Sequence, residues 1–251
     1  MSTTAMPSPE TTPELSTVSR ITNVFFSPTT TFSDLKRNSS WWAAWLLISA
    51  FSLLFVFAMQ QKVGFQQVWE NQMKSSPSSA AQMEKMTPQQ RDFAGAITKY
   101  VSYASPVFVL IIALIMAGVL TGSFNFGLGA EVGFGLSLAV VFYAMLPGIL
   151  KSVLGIISLF AGADPEAFDA NNPVATNLGY LANGTLFNRA EHPALYTLLS
   201  WIDVFGIWTV ILIGIGFASV TKVKRSTAIS VAAGWYVLMA LIFTGLAAIR
   251  S

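Results

Sequence analysis

WWAAWLLISAFSLLFVFAM, residues 41–59, runs through nineteen positions without an Asp, Glu, Lys or Arg. A helix rises about 1.5 Å per residue, so this length matches the ~30 Å hydrocarbon core of a bilayer. Trp41, Trp42 and Trp45 gather at one end, where an indole can sit half in lipid and half in the wet headgroup region. The stretch reads as a membrane span, and others follow. Residues 38–61, 100–130, 132–150, 204–221 and 226–249 all lack those four residue types. The chain is therefore expected to be all-α and polytopic. Its five transmembrane helices are placed over about 41–59, 104–122, 132–154, 198–220 and 228–249.

Composition points the same way. Of 251 residues, 53% are hydrophobic and 10% charged, against about 25% charged in a soluble domain. A net charge of +2, with no basic strip laced with aromatics, does not suit nucleic acid. The absence of cysteine excludes disulfides, thiol nucleophiles and Cys-based metal sites. Met1 to Ser19 lacks the apolar h-region of a signal peptide, so insertion is expected to begin with the first span.

The remaining segments divide into a tail, an approach and two loops. Residues 1–16 are rich in Ser, Thr and Pro and are expected to be disordered. Residues 17–37 place Ile21, Val24, Phe25 and Phe26 before Ser27-Pro28, then Phe32 and Leu35 before Lys36 and Arg37. Ser27 suits an N-cap and Pro28 a first helical position. This segment reads as two short amphipathic helices on the membrane surface, leaving 38–251 as the transmembrane domain. Between the first two spans lies a polar loop, residues 60–103, in which Phe65, Val68, Trp69 and Met73 repeat with helical spacing. A second polar loop, residues 162–197, sets Asp164, Glu166, Asp169 and Glu191 against Arg189. The apolar run that opens at Val132 lasts to Phe160, longer than the ~20 residues of one straight crossing. Pro147-Gly148 sits inside it, and the missing proline donor predicts a kink there.

Lys222, Lys224 and Arg225 form a short basic hairpin, the strongest cytoplasmic marker in the chain. Five spans then give a cytoplasmic N-terminus and an outside C-terminus, in a cell (inner) membrane. This orientation places six Lys and Arg inside and seven outside, Arg250 among them, with five of the seven spread over the first loop.

Two charges fall within or beside spans, Lys151 and Asp203. Lys151 lies 19 residues after Val132, about 28 Å along a helix. Asp203 falls about one and a half turns into the fourth span, entered from the same face, so both have similar depth. An unpaired charge at bilayer centre costs at least ~2.5–3.5 kcal/mol. Two readings stand. Lys151 and Asp203 pair and line a polar cavity, or each reaches the headgroups separately, Lys151 by snorkelling. The short side chain of Asp203 favours an interior place.

Small residues mark close helix approach at Gly118-x-x-x-Gly122, Gly129-x-x-x-Gly133 and Gly214-x-x-x-Ala218. Packing within the bundle is the commoner use of such spacing, and oligomerisation the other. His192, the single histidine, lacks the companions of a metal site. Asn183-Gly184-Thr185 fits a glycosylation acceptor that chance also supplies. No nucleophile elbow appears and no paired carboxylates line up within spans. No catalytic residue, metal or cofactor is expected, and the chain is not expected to be an enzyme.

Three regions resemble one family. They are Val24-Phe-Phe-Ser-Pro-Thr-Thr-Thr-Phe32 leading to Lys36-Arg37 and Trp41-Trp42; Val132 to Leu154, with Tyr143-Ala-Met-Leu-Pro147; and Leu199-Ser-Trp-Ile-Asp203-Val-Phe-Gly-Ile-Trp208 running into the basic hairpin. In order and span count they are similar to bacterial members of the Yip family, the Ypt/Rab-interacting-protein-like membrane proteins. The resemblance implies five membrane helices and a cytoplasmic N-terminus. Eukaryotic relatives bind Rab-type GTPases. This chain lacks their Asp-Leu-Tyr-Gly-Pro signature and long cytoplasmic domain, so a Rab-type partner is not expected. The expected function is a non-enzymatic membrane protein that organises membrane partners or lipids, as a complex with another membrane protein or as a homo-oligomer. The alternative is a transporter or channel for a small solute, ion or lipid that uses Lys151 and Asp203.

Overall fold

The computed structural model describes residues 13–249. Residues 1–12, most of the tail, and Arg250 and Ser251 lie outside the described residues. Among the described residues the fold is all-helical, apart from two isolated β-bridges.

Local chemistry sets the helix ends. α1 (Thr17–Phe26) starts on Ser16, whose hydroxyl accepts the Ser19 N–H at 3.1 Å. α2 (Pro28–Asp34) opens on Pro28. α3 (Trp42–Lys62) is followed, past Val63, by Gly64, whose φ of 83° turns the chain into α4 (Phe65–Met73). Such a φ suits glycine, which has no Cβ to clash. α5 (Pro77–Glu84) and α6 (Pro88–Tyr103) follow. Thr87 and Gln90 cap α6 reciprocally: the Gln90 N–H donates to Thr87 Oγ1 at 3.3 Å and the Thr87 N–H to Gln90 Oε1 at 2.8 Å. This arrangement satisfies two donors that a helix start leaves open.

The apolar segments form the rest. α7 (Ser105–Gly122) runs on through a π-helical turn, Ser123–Gly127. α8 (Phe134–Ala144) and α9 (Pro147–Phe160) divide the third apolar run at Met145-Leu146, just before Pro147. After the second loop come α10 (Leu178–Ala182), α11 (Pro193–Ser200), α12 (Val204–Val220) and α13 (Arg225–Ile249). Among the described residues, four helical stretches are long and apolar enough to cross a membrane: Trp42–Lys62, Ser105–Gly127, Phe134–Phe160 and Arg225–Ile249. Val204–Val220 is apolar but has 17 residues, about 25 Å of helix. The stretch read as one span over 198–220 is thus interrupted. Its first residues belong to α11, and the helix restarts after Asp203.

α8 is the centre of the core. Every residue from Ser137 to Ala144 is buried, as expected of a helix that is apolar all round. Trp41 stacks on Phe142 at 5.2 Å, and Phe124 stacks on Phe217 at 4.2 Å. Part of the apolar side of residues 17–37 is taken up by protein: Val24, Phe32 and Leu35 are fully buried in the same core, while Phe26 stays exposed. Phe32 reaches Gly216 of α12, where an added Cβ would lie 3.2 Å from its ring. Glu14 and Leu15, at the end of the tail, bond to Arg20 and Asp34. A smaller core joins Val56 and Met59 of α3, Phe65 and Val68 of α4, and Leu159 and Phe168. The helical spacing at Phe65, Val68 and Trp69 marks the buried face of α4.

Candidate functional site

Two helix breaks meet at one ion pair. Lys151 stands on the first turns of α9, just past Pro147. Asp203 is the N-cap of α12. Lys151 Nζ donates to Asp203 Oδ2 at 3.0 Å. Asp203 is 5% exposed and Lys151 is partly exposed.

The Asp203 carboxylate is fully engaged. Oδ1 accepts the N–H groups of Phe205 and Gly206, both at 2.9 Å. Oδ2 also accepts the Thr176 hydroxyl at 2.7 Å. The carboxylate therefore caps a helix start whose backbone donors would otherwise be unmet in an apolar setting. Negative charge also suits the positive end of the α12 dipole. This explains the interruption of the fourth apolar run: the side chain competes for backbone N–H groups and ends the helix that precedes it. The backbone of the second loop completes the gap, with the Val204 N–H donating to Thr176 O at 3.1 Å and the Leu178 N–H to Ile202 O at 3.3 Å.

Beyond Thr176 the second loop is tied together by side chains. Arg189 Nη1 pairs with Asp169 Oδ2 at 2.7 Å, and the Tyr196 hydroxyl donates to the same oxygen at 2.8 Å. Asn172 Nδ2 donates to the Tyr196 hydroxyl at 2.9 Å and to Ser200 Oγ at 3.0 Å. Asn177 Nδ2 donates to Asn172 Oδ1 at 2.9 Å. Asn71 of α4 fastens the loop from the other side, donating to Pro165 O and Phe168 O at 2.8 and 2.9 Å.

A cavity of about 240 Å³ opens beside the pair, lined by Phe55, Gly148, Lys151, Ser152 and Asn171, among others. Pro147 thus marks the break, and Gly148 lines one wall of this space. The small residues fall in different places. An added Cβ on Gly214 would lie 2.6 Å from Ile229 Cα, so α12 and α13 touch there. Gly118 and Gly122 meet nothing closer than 4.0 Å, and Gly133 has open space. Gly129 has a φ of 65° in the turn before α8. His192 precedes α11 with its ring against Phe187, and Asn183 Oδ1 accepts the Arg189 N–H at 2.8 Å within the loop.

Reading the residues in order brings Lys151 and Asp203 into view but misses Thr176, Asn172 and Tyr196. A polar side chain in a loop looks the same in sequence whether it is solvated or bonded. The close approach at Gly216 was also missed, because its partner Phe32 is remote in the chain.

A helical chain with several helices fit to cross a bilayer is a multi-pass membrane protein. Residues 22–246, nearly the whole chain, match the Yip1 domain. The chain belongs to the Yip1 domain family. No curated protein and no solved structure matches it.

Proposed function

We propose that the chain is a five-span integral membrane protein that organises membrane partners or lipids, without catalysing a reaction. The observation that carries this reading is the Lys151–Asp203 joint. Every accepting direction of Asp203 is occupied, by two backbone N–H groups, a hydroxyl and an ammonium. A carboxylate held this way joins two interrupted helices; to carry a proton or ion it would have to shed those partners. Membership of the Yip1 domain family accords with a membrane role.

The fifth crossing is α12, continued past its break by α11. A contact between distant segments supports this count. Arg225 Nη2 donates to Thr29 Oγ1 at 3.0 Å, so the N-terminal helices lie beside the basic hairpin. Two segments on one side of a bilayer are separated by an even number of crossings. α3, α7, the α8–α9 pair and the α11–α12 pair make four. The hairpin carries Lys222, Lys224 and Arg225, which supports a cytoplasmic side for this end and an outside C-terminus. The partners are another membrane protein or a second copy of the chain, and a Rab-type GTPase is not among them.

The chain has no cysteine, so single cysteines report sidedness cleanly. Cysteines at Thr30 and Ser226 should react only from the cytoplasmic side, and one at Glu166 only from outside. Reaction of all three from one side would overturn the five-span layout. Crosslinking in native membranes tests the organising role: a defined adduct is expected, and a strictly lone monomer counts against it. The cavity beside Lys151 favours a second reading, transport of a small solute, ion or lipid. Flux by the reconstituted chain that vanishes in Asp203→Asn would select that reading instead.

A further inference from the structure

We infer that the chain binds a phospholipid at the Lys151 end of α9, with the lipid phosphodiester beside Lys151 and an acyl chain in the adjoining groove. This rests on the membrane-organising reading above and names the class of lipid and its site.

Two cavities share a wall. The first, about 240 Å³, is the one beside Lys151. The second, about 380 Å³, lies between α3, α4 and α6. Phe55, Ala170 and Asn171 line both. The first offers donors. An ammonium has three N–H bonds, and Lys151 Nζ uses one on Asp203. The Asn171 side-chain amide has no partner among the described residues and faces the same space. The second cavity is lined by Val56, Met59, Val68, Ile97 and Val101, with Gln72 and Ser102 at its wall. The side chains of Gln72 and Ser102 also have no partner among the described residues. The first space thus supplies a charged donor and an amide, and the adjoining one hydrocarbon with neutral donors.

A glycerophospholipid presents the complementary groups: a phosphodiester, ester oxygens and an acyl chain. A fatty acid lacks the ester oxygens that Gln72 and Ser102 would meet. Inorganic phosphate leaves the apolar groove unfilled. Asp203 already balances the charge of Lys151, so recognition comes from hydrogen bonds to the phosphodiester rather than from net headgroup charge. Phosphatidylglycerol and phosphatidylcholine should then bind with similar strength.

Native mass spectrometry of the full chain in detergent tests the site, with each of these two lipids added in turn. The wild type should retain a single phospholipid of either kind. Asn171→Leu removes an exposed, unpartnered amide and should weaken binding roughly tenfold without lowering thermal stability. Ala170→Trp fills the shared wall and should abolish binding. Lys151 is left unchanged because it also holds Asp203. Equal binding by the wild type and Asn171→Leu, at equal stability, would overturn the proposal. So would oleate or inorganic phosphate binding as tightly as the phospholipids, or binding confined to phosphatidylglycerol. Lipid retention that persists while crosslinking finds only a lone monomer would sink the organising role and leave the site standing.

Discussion

Arg20 and Lys151 are both held inside the protein by a carboxylate, and the two sites use their cations differently. Arg20 is 3% exposed and spends its whole fork on protein. Its Nε donates to Asp34 Oδ2 at 2.7 Å, its Nη1 to Asn38 O at 3.1 Å and its Nη2 to Glu14 Oε1 at 2.9 Å. Burial opposes the charge, but the hydrogen bond and charge of Asp34 outweigh it and raise the Arg20 pKa. Lys151 is 26% exposed and commits one N–H to Asp203, leaving the others to face a cavity. A rigid guanidinium suits a closed, multidentate site, and a compact ammonium suits a site with spare donors. The first site ties α1 to α2 and to the residues just before α3. The second joins two helix breaks and leaves its cation at the wall of a cavity.

Mutations at these two sites should separate them. Arg20→Leu leaves Asp34 buried without its cation, which costs about 3–5 kcal/mol. Unfolding in detergent should show this as the largest loss of stability among the variants considered. Gly216→Leu comes next, because the new side chain meets Phe32 and Val140. Overpacking of this kind costs about 1–3 kcal/mol, whereas Gly118→Leu, at an exposed position where an added Cβ meets nothing closer than 4.0 Å, should stay within ~0.5 kcal/mol. Equal losses at the two glycines would break the claim that the N-terminal helices are seated in the core. Lys151→Met should cost about 1–2 kcal/mol, less than Arg20→Leu, because Asp203 keeps Thr176 and two backbone donors and the lysine is partly solvated.

How much of this was legible in sequence depends on the residue. The long apolar runs announce helices because uncharged length has few other uses. Pro147 announces the α8–α9 break because proline cannot donate. The α11–α12 break is harder to read. Leu198–Val220 is apolar except at Asp203, and an aspartate in such a run reads equally as a charge inside a helix or as the cap of a new one. The deciding partner, Thr176, lies in the polar loop, where nothing in sequence separates a bonded hydroxyl from a solvated one. The N-terminal helices show the same ambiguity. Val24, Phe32 and Leu35 mark an apolar face, but its period does not say whether lipid or protein covers it. The glycine spacing at Gly118 and Gly122 is visible locally, whereas the contact at Gly216 depends on Phe32, far away in the chain.

The central claim is that Lys151 and Asp203 act as one joint between two interrupted helices. A double-mutant cycle on Lys151→Met and Asp203→Asn tests it most directly, because Asn keeps the N-cap of α12 while removing the charge. Unfolding in detergent should give a coupling energy of about 1 kcal/mol or more between the two changes. Additive losses, with no coupling, would contradict the joint.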